Sequence, residues 1–214
     1  MDFLDPDLVD YIEAHTQKET PVLSDLNRYT YANILTPRML AGHLQGQILG
    51  MLSMMIKPKQ VLEIGTYTGY SAICLCKGLQ DGGKLHTIDM NEELEEMARN
   101  YFDKAEVTNK IEYHIGNAIE IIPTINEMFD LVYIDADKEN YSQYFDMTLD
   151  KLNIGGYIIS DNVLWSGKVL EKNKVSWDAD TIAIREFNEK VHNDDRVENV
   201  LFPIRDGLMI ARKK

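Results

Sequence analysis

The segment Phe129-Asp130-Leu131-Val132-Tyr133-Ile134-Asp135-Ala136-Asp137-Lys138 decides the fold. It is an apolar run that breaks abruptly into oxygen-bearing residues, the pattern of a buried parallel strand meeting the loop at its carboxyl end. Tyr157-Ile158-Ile159-Ser160-Asp161-Asn162 repeats the pattern further on. As neighbouring parallel strands, the two segments bring Asp135, Asp161 and Asn162 side by side at their carboxyl ends, where open α/β sheets bind ligands. Two carboxylates and an amide oxygen, with no sulfur or imidazole, make a hard ligand set suited to Mg²⁺, Mn²⁺ or Ca²⁺. Taken singly, Asp135 or Asp161 would serve equally well as a cap of the helix or turn that follows. Their pairing, together with Asn162 and Lys138, is what points to chemistry.

Outward from this pair the chain alternates. Strands are expected over 61–64, 84–89, 111–115, 129–135 and 157–161. Helices are expected over 70–79, 92–105, 118–125 and 141–152, with a further one ending near His192 after a long loop over 163–178. Such alternation implies a parallel sheet with helices on both faces. Segments 196–202 and 208–212 flank Arg205-Asp206-Gly207, a hairpin signal that adds one antiparallel strand. Residues 1–57 read as helical. Asp5-Pro6 opens one helix running to about Lys18, and Thr20-Pro21 is an N-cap followed by proline at the first helical position. Leu44, Ile48, Met51, Leu52 and Met55 form a stripe at helical spacing that reads as core. The expected organisation is a single domain, 1–214, with an N-terminal helical cap (1–57) on an α/β core (58–214).

At 214 residues and 44% hydrophobic content the chain fits one α/β domain with a sizeable core. A formal net charge of −13 discourages non-specific binding to nucleic acid or anionic membranes. Lys168, Lys172, Lys174 and the terminal Arg212-Lys213-Lys214 are local cations that read as solvated surface. The two cysteines, Cys74 and Cys76, point in different directions on a helix and read as packed, reduced thiols. The N-terminal sequence is acidic and has no signal-peptide core, and no run of about 18 apolar residues exists. The expected location is the cytoplasm, without membrane attachment.

A glycine-rich turn, Glu63-Ile64-Gly65-Thr66-Tyr67-Thr68-Gly69-Tyr70-Ser71, follows the first strand. Its G-x-x-x-G spacing is neither the dinucleotide fingerprint nor a P-loop. Gly65 and Gly69 allow a tight turn and close ligand approach. The carboxylate of Glu63 would repel a pyrophosphate and favour an ammonium or sulfonium. Asp89 closes the second strand, where an acidic side chain can take both hydroxyls of a ribose. Gly116-Asn117-Ala118 closes the third, where a backbone N–H and an amide could read an adenine edge.

With these residues the chain resembles the class I S-adenosylmethionine-dependent methyltransferases. More narrowly, it resembles the cation-dependent O-methyltransferases, the group of catechol and caffeoyl-CoA O-methyltransferases and their bacterial relatives. The matching motifs are residues 61–71, Ile134-Asp135-Ala136-Asp137-Lys138 and Asp161-Asn162-Val163-Leu164-Trp165-Ser166-Gly167, and the likeness runs from about Thr36 to the C-terminus. It implies a Rossmann-like, seven-stranded sheet whose last strand is antiparallel. It implies that Glu63, the Gly65 backbone, Ser71, Asp89, Ala118 and Asp137 hold S-adenosylmethionine, helped by the backbone near Ala41. It further implies Asp135, Asp161 and Asn162 as ligands of Mg²⁺ or another hard dication, with Lys138 beside the substrate hydroxyl and Ser166 near the substrate. Many relatives carry Asp where this chain has Asn117, so adenine contact is expected to be rearranged there. Relatives are commonly homodimers, with the N-terminal helices as the expected interface.

The implied reaction is methyl transfer to a hydroxyl of a catechol-type, vicinal dihydroxyphenyl small molecule, with Lys138 as candidate general base. Modification of a tRNA hydroxyuridine is the alternative, which the acidic charge disfavours. A non-catalytic binding protein has no need of the metal-ligand set, and a nicotinamide oxidoreductase is disfavoured by the turn spacing and by Glu63. The five histidines, His15, His43, His86, His114 and His192, show no metal-ligand spacing and read as structural, although His43 could touch the cofactor. Trp165 and the segment to Trp177 are candidates for a wall over the substrate ring, and Tyr29, Tyr31 and Met39 for the opposite side of the pocket.

Overall fold

A computed structural model describes residues 5–214; the acidic sequence of residues 1–4 lies outside the described residues. The chain opens with two short helices, α1 (Pro6–Ala14) and α2 (Pro21–Asn33), each with proline in its first turn. The Asp5 carboxylate caps α1 by accepting from Asp7 N, and the Thr20 hydroxyl caps α2 by accepting from Leu23 N. Helix α1 stops at Ala14, short of the expected end near Lys18. Helix α3 (Gly42–Ile56) follows and ends on Lys57 in the left-handed conformation.

The α/β part then runs β1 (Gln60–Ile64), α4 (Tyr70–Leu75), β2 (Lys84–Asp89), α5 (Glu95–Lys104), β3 (Ile111–Ile115), α6 (Ala118–Ile121), β4 (Phe129–Ile134), α7 (Tyr141–Asp150), β5 (Leu152–Ser160), α8 (Ala179–His192), β6 (Val197–Phe202) and β7 (Leu208–Lys213). All seven strands join one sheet in the order β3-β2-β1-β4-β5-β7-β6. Strands β1 to β5 are mutually parallel, and β7 is antiparallel to both of its neighbours, as the hairpin signal implies. The chain order reverses between β1 and β4, which opens a crevice at their carboxyl ends. Apolar side chains cover both faces. One layer centres on Leu62, Val132, Ile158, Phe145 and Phe187, the other on Val61, Leu131, Ile159, Leu75 and Phe102.

Several expected elements are shorter. The segment after β3 is one turn of α-helix followed by a 3₁₀ turn over Ile122–Thr124, because Pro123 cannot continue the α-helical ladder. The loop over 163–178 contains two 3₁₀ turns, Trp165–Gly167 and Glu171–Ser176. Strand β5 begins earlier than expected, at Leu152, and accommodates Gly155 at a φ of +81°.

Helix α3 departs most from its sequence pattern. Its buried face is Gln45, Gly46, Leu49, Gly50 and Ser53, whereas Met51 and Met55 of the apolar stripe are 56% and 72% exposed. The reason is a close crossing against α4 and the 3₁₀ turn after it. A Cβ on Gly46 would stand 2.5 Å from the Tyr70 ring, and one on Gly78 would stand 2.1 Å from the Ser53 backbone. Small residues are required where two helical backbones approach this closely, so the methionines face outward.

Candidate functional site

Backbone pairing continues one residue beyond each strand and so sets the ends of the sheet in register. Gly116 N donates to Asp89 O, Gly65 N to Ile88 O, Asp135 N to Ile64 O, and Asp161 N to Ile134 O, all at 2.8–2.9 Å. Because Ile134 is the register partner of Ser160, the next residues, Asp135 and Asp161, stand beside each other. A cleft of about 1230 Å³ opens above this row. Its lining includes Ala41, Gly65, Ser71, Asp89, Ala118, Asp135, Asp137, Lys138, Asp161 and Asn162. Ten of the eleven residues singled out in the sequence are thus brought to one cavity.

The exception is Glu63, which is fully buried behind the glycine turn. Its Oε2 accepts from the Thr87 hydroxyl at 2.6 Å, and its Oε1 has no partner. Burial pushes its carboxyl up to about 8, against the opposing hydrogen bonds from Ser71 and Thr87. Glu63 therefore supports the wall of the cleft from behind. Gly65 has a φ of +99°, and a Cβ there would meet the Asp135 carbonyl oxygen at 1.9 Å, so only glycine lets β1 and β4 stay adjacent.

Each acidic side chain on the cofactor-like side is already oriented. Asp89 accepts from Tyr67 N at 2.6 Å and Asn91 N at 2.9 Å. Asp137 accepts from the Tyr144 hydroxyl at 2.6 Å and from the Asn140 amide at 2.5 Å. Asn117, by contrast, spends its amide oxygen on capping α6, accepting from Ile119 N at 2.9 Å; the cleft is lined there by Gly116 and Ala118.

At the other end, Lys138 Nζ lies 2.8 Å from Asn162 Oδ1, 3.2 Å from Asp135 Oδ1 and 2.6 Å from the Tyr141 hydroxyl. Its three hydrogens thus have three acceptors. Asn162 adopts a φ of +59°, a conformation that asparagine tolerates better than most residues, which aims its amide back at the lysine. Asp161 is 3% exposed and held on both oxygens. Oδ1 accepts from Asn162 N, while Oδ2 accepts from the Tyr133 hydroxyl and from Gln45 Nε2. Burial, and then the neighbouring Asp135 carboxylate, push Asp161 above the usual carboxylate range. Two adjacent carboxylates, an amide oxygen and no soft atom are a donor set that a hard dication would neutralise.

Gln45 carried no motif and Arg205 only the hairpin signal, so sequence reasoning missed both at the site. Gln45 Oε1 accepts from Arg205 Nη1 at 3.0 Å, and the same guanidinium donates to the Ala41 carbonyl. The turn between β6 and β7 is thereby tied to the start of α3 and, through Gln45, to Asp161.

Among the flanking candidates, Tyr31, Met39, Trp165 and Ser166 line the cleft. Tyr29 instead packs against Tyr101. Trp177 donates to Lys168 O and lies under Arg185 at 4.0 Å, outside the cleft lining. His43 Nε2 bonds Gln17 O at 2.7 Å and is likewise not part of the lining. Cys74 and Cys76 are free and buried, with burial pushing both thiols up to about 12, which leaves them inert. Lys168 and Lys174 pair with Asp178 and Glu171.

A reversed α/β sheet of this order, with one antiparallel strand and a glycine turn and acidic row along its carboxyl edge, defines the class I methyltransferase fold. The O-methyltransferase family profile matches residues 13–214. The chain is 35% identical to a caffeoyl-CoA O-methyltransferase of Mesembryanthemum crystallinum over 181 residues, covering 79% of this chain and 70% of that one. Among solved structures, the Bacillus cereus O-methyltransferase in complex with SAH superposes with a TM-score of 0.89 at 28% identity, over 97% of each chain. TomG of Streptomyces achromogenes in complex with SAM gives 0.89 at 27% identity, over 97% of this chain and 96% of that one. The chain belongs to the O-methyltransferase family, a group of S-adenosylmethionine-dependent enzymes.

Proposed function

We propose that this enzyme transfers the methyl group of S-adenosylmethionine to one hydroxyl of a catechol-type, vicinal dihydroxyphenyl small molecule, with the help of a hard divalent cation such as Mg²⁺. The observation that carries this reading is the convergence of Asp135 and Asn162 on the Lys138 ammonium, with Asp161 beside Asp135, at one end of a cleft. The other end of that cleft carries Asp89 and the Gly65 turn.

In this reading Asp135, Asp161 and Asn162 hold the cation. Gly65, Ser71, Asp89, Ala118 and Asp137, with the backbone at Ala41, hold the methyl donor, and Glu63 braces their wall. Bound there, a dication supplies a Lewis acid that favours ionised oxygen over hydroxyl. The sulfonium of the donor supplies the methyl group. The chain's own residues do the remaining work. Lys138, fixed by Tyr141 and Asn162, stands as the candidate general base for the hydroxyl proton. Trp165, Tyr31 and Met39 exclude water from the aromatic ring, and the strand register fixes the spacing between donor and acceptor ends.

A homodimer that covers the exposed methionines of α3 fits this reading, as does a cytoplasmic setting in which Cys74 and Cys76 stay reduced. No described helix is long and apolar enough to cross a membrane.

The experiment is incubation with S-adenosylmethionine and a panel of catechol, caffeate, caffeoyl-CoA, a monophenol and hydroxyuridine-containing tRNA, scored by mass spectrometry with Mg²⁺ and with chelator. Gain of one methyl on vicinal diols alone, abolished by chelator, is the expected result. Chelator-insensitive transfer overturns the cation assignment, and tRNA as the sole acceptor overturns the substrate class.

A further inference from the structure

On the sheet edge farthest from β7, three further ligating side chains meet. His86 on β2 is the register partner of Glu112 on β3, and His114 follows Glu112 by two residues, so all three project from the same face. His86 Nδ1 lies 3.2 Å from His114 Nε2 and 3.6 Å from Glu112 Oε2. One ligand atom from each of the three can be chosen so that all lie within 4.8 Å of one another. Two ligands about 2.0–2.1 Å from one tetrahedral ion stand roughly 3.3–3.4 Å apart, which is close to both of these distances.

We propose that His86, Glu112 and His114 form a second metal site, selective for a borderline transition-metal ion of the Zn²⁺ class and separate from the oxygen-only set at the cleft. Two imidazoles and a carboxylate suit Zn²⁺ and disfavour Mg²⁺, and three protein ligands leave a fourth position to water. Burial holds both imidazoles below their ordinary range, opposed by Glu112 and Glu127. The site is half built in advance. His86 is buried and packs edge-on against Phe129 at 5.9 Å, while Glu112 reaches in with Oε2 and leaves Oε1 toward Lys84 at 3.8 Å. His114 is only partly buried and stacks its ring on that of His86, with centroids 5.4 Å apart. The ion would fasten β3, the outermost strand of the sheet, to β2.

The ligand spacing across two strands is what keeps this cluster out of view in the sequence. His86 and His114 are 28 residues apart, and only the β2–β3 register brings them together.

The test uses metal-stripped full-length protein titrated with Zn²⁺ against a chromophoric chelator, with thermal midpoints measured in parallel. His114→Ala and Glu112→Ala alter side chains with solvent access, so folding is retained and is checked by circular dichroism. Asp135→Asn controls for zinc captured at the cleft. The expected result is one zinc equivalent that is weakened about tenfold or more in His114→Ala and Glu112→Ala. That equivalent persists in Asp135→Asn, and the thermal shift caused by zinc is lost only in the first two variants. Zinc uptake unchanged in both His114→Ala and Glu112→Ala, or no uptake in competition with the chelator, overturns the proposal. Because this readout is zinc affinity, it fails or succeeds independently of the methyl-transfer reading.

Discussion

Gln45, inside helix α3, donates its side-chain amide to the Asp161 carboxylate at the end of β5, 116 positions away in the chain. The same amide nitrogen donates to the Tyr133 hydroxyl at 2.9 Å, and the Gln45 oxygen is taken by Arg205. A helix outside the sheet therefore orients one of the three side chains proposed to hold a cation. Gln45→Leu is expected to raise the Mg²⁺ concentration for half-maximal rate by about 10–100-fold, as loss of an outer-shell partner commonly does. Binding of S-adenosylhomocysteine should be unchanged. Rates measured across a Mg²⁺ series decide it, and an unaltered Mg²⁺ requirement would remove Gln45 from the site.

Lys138→Met deletes the three hydrogen bonds to Asp135, Asn162 and Tyr141 while keeping the length of the side chain. The expected loss in kcat is about 10²–10⁴-fold with little change in the KM for S-adenosylmethionine. Steady-state kinetics at saturating Mg²⁺ reads both. A proportionate loss of donor affinity would instead mean that the lysine holds the cleft together.

Gly65→Ala forces a Cβ into the Asp135 carbonyl at a backbone angle that L-residues rarely adopt. We expect a destabilisation of at least about 2 kcal/mol, equivalent to a fall of roughly 4–8 °C in thermal midpoint. Both cation and donor binding should weaken, because Asp135 must move. Calorimetry of the variant with and without S-adenosylhomocysteine is the check.

Glu63 gives a pH dependence with a definite sign. Its carboxyl is raised from 4.5 to about 8 in the folded protein, so its protonated form is the one the fold accommodates. That contribution to stability is fully present below pH 4.5, declines as pH rises through the interval, and is lost once pH has passed about 8. Glu63→Gln keeps a neutral group there at every pH. The stability difference between variant and wild type should therefore swing in favour of the variant by several kcal/mol between pH 4.5 and 8. Urea unfolding across this range tests it, and parallel curves for the two proteins would contradict it.

The outward face of α3 is expected to sit in a subunit contact. Met51→Glu combined with Met55→Lys should convert a dimer into a monomer by light scattering with the fold intact, since both residues are exposed in the single chain. A mass independent of these substitutions would move the contact elsewhere.

Strand and helix alternation was legible because each strand is an apolar run closed by a turn. Asp135 and Asp161 were legible because parallel pairing fixes which residues end side by side. Features that depend on what lies opposite a side chain were not. The stripe of α3 read as core because periodicity rewards bulk, whereas the crossing with α4 demanded Gly46, Gly50 and Ser53. Glu63 read as a cleft residue, yet Thr87 and Ser71, contributed by other elements, draw its carboxyl inward. Gln45 was one polar residue in an apolar helix, and its partners Asp161, Tyr133 and Arg205 come from distant segments. Asn117 was placed at the correct strand end, but its amide serves the local cap.

Strand β7 follows β6 in sequence, yet it lies between β5 and β6 in the sheet. Until β7 has been made and docks, β5 therefore keeps an open edge. The strand that ends at Ser160, next to Asp161 and Asn162, acquires its second neighbour only then. A chain without β7 would carry every motif above and still lack the Ser160–Met209 pairing that closes the strand edge beside Asp161 and Asn162.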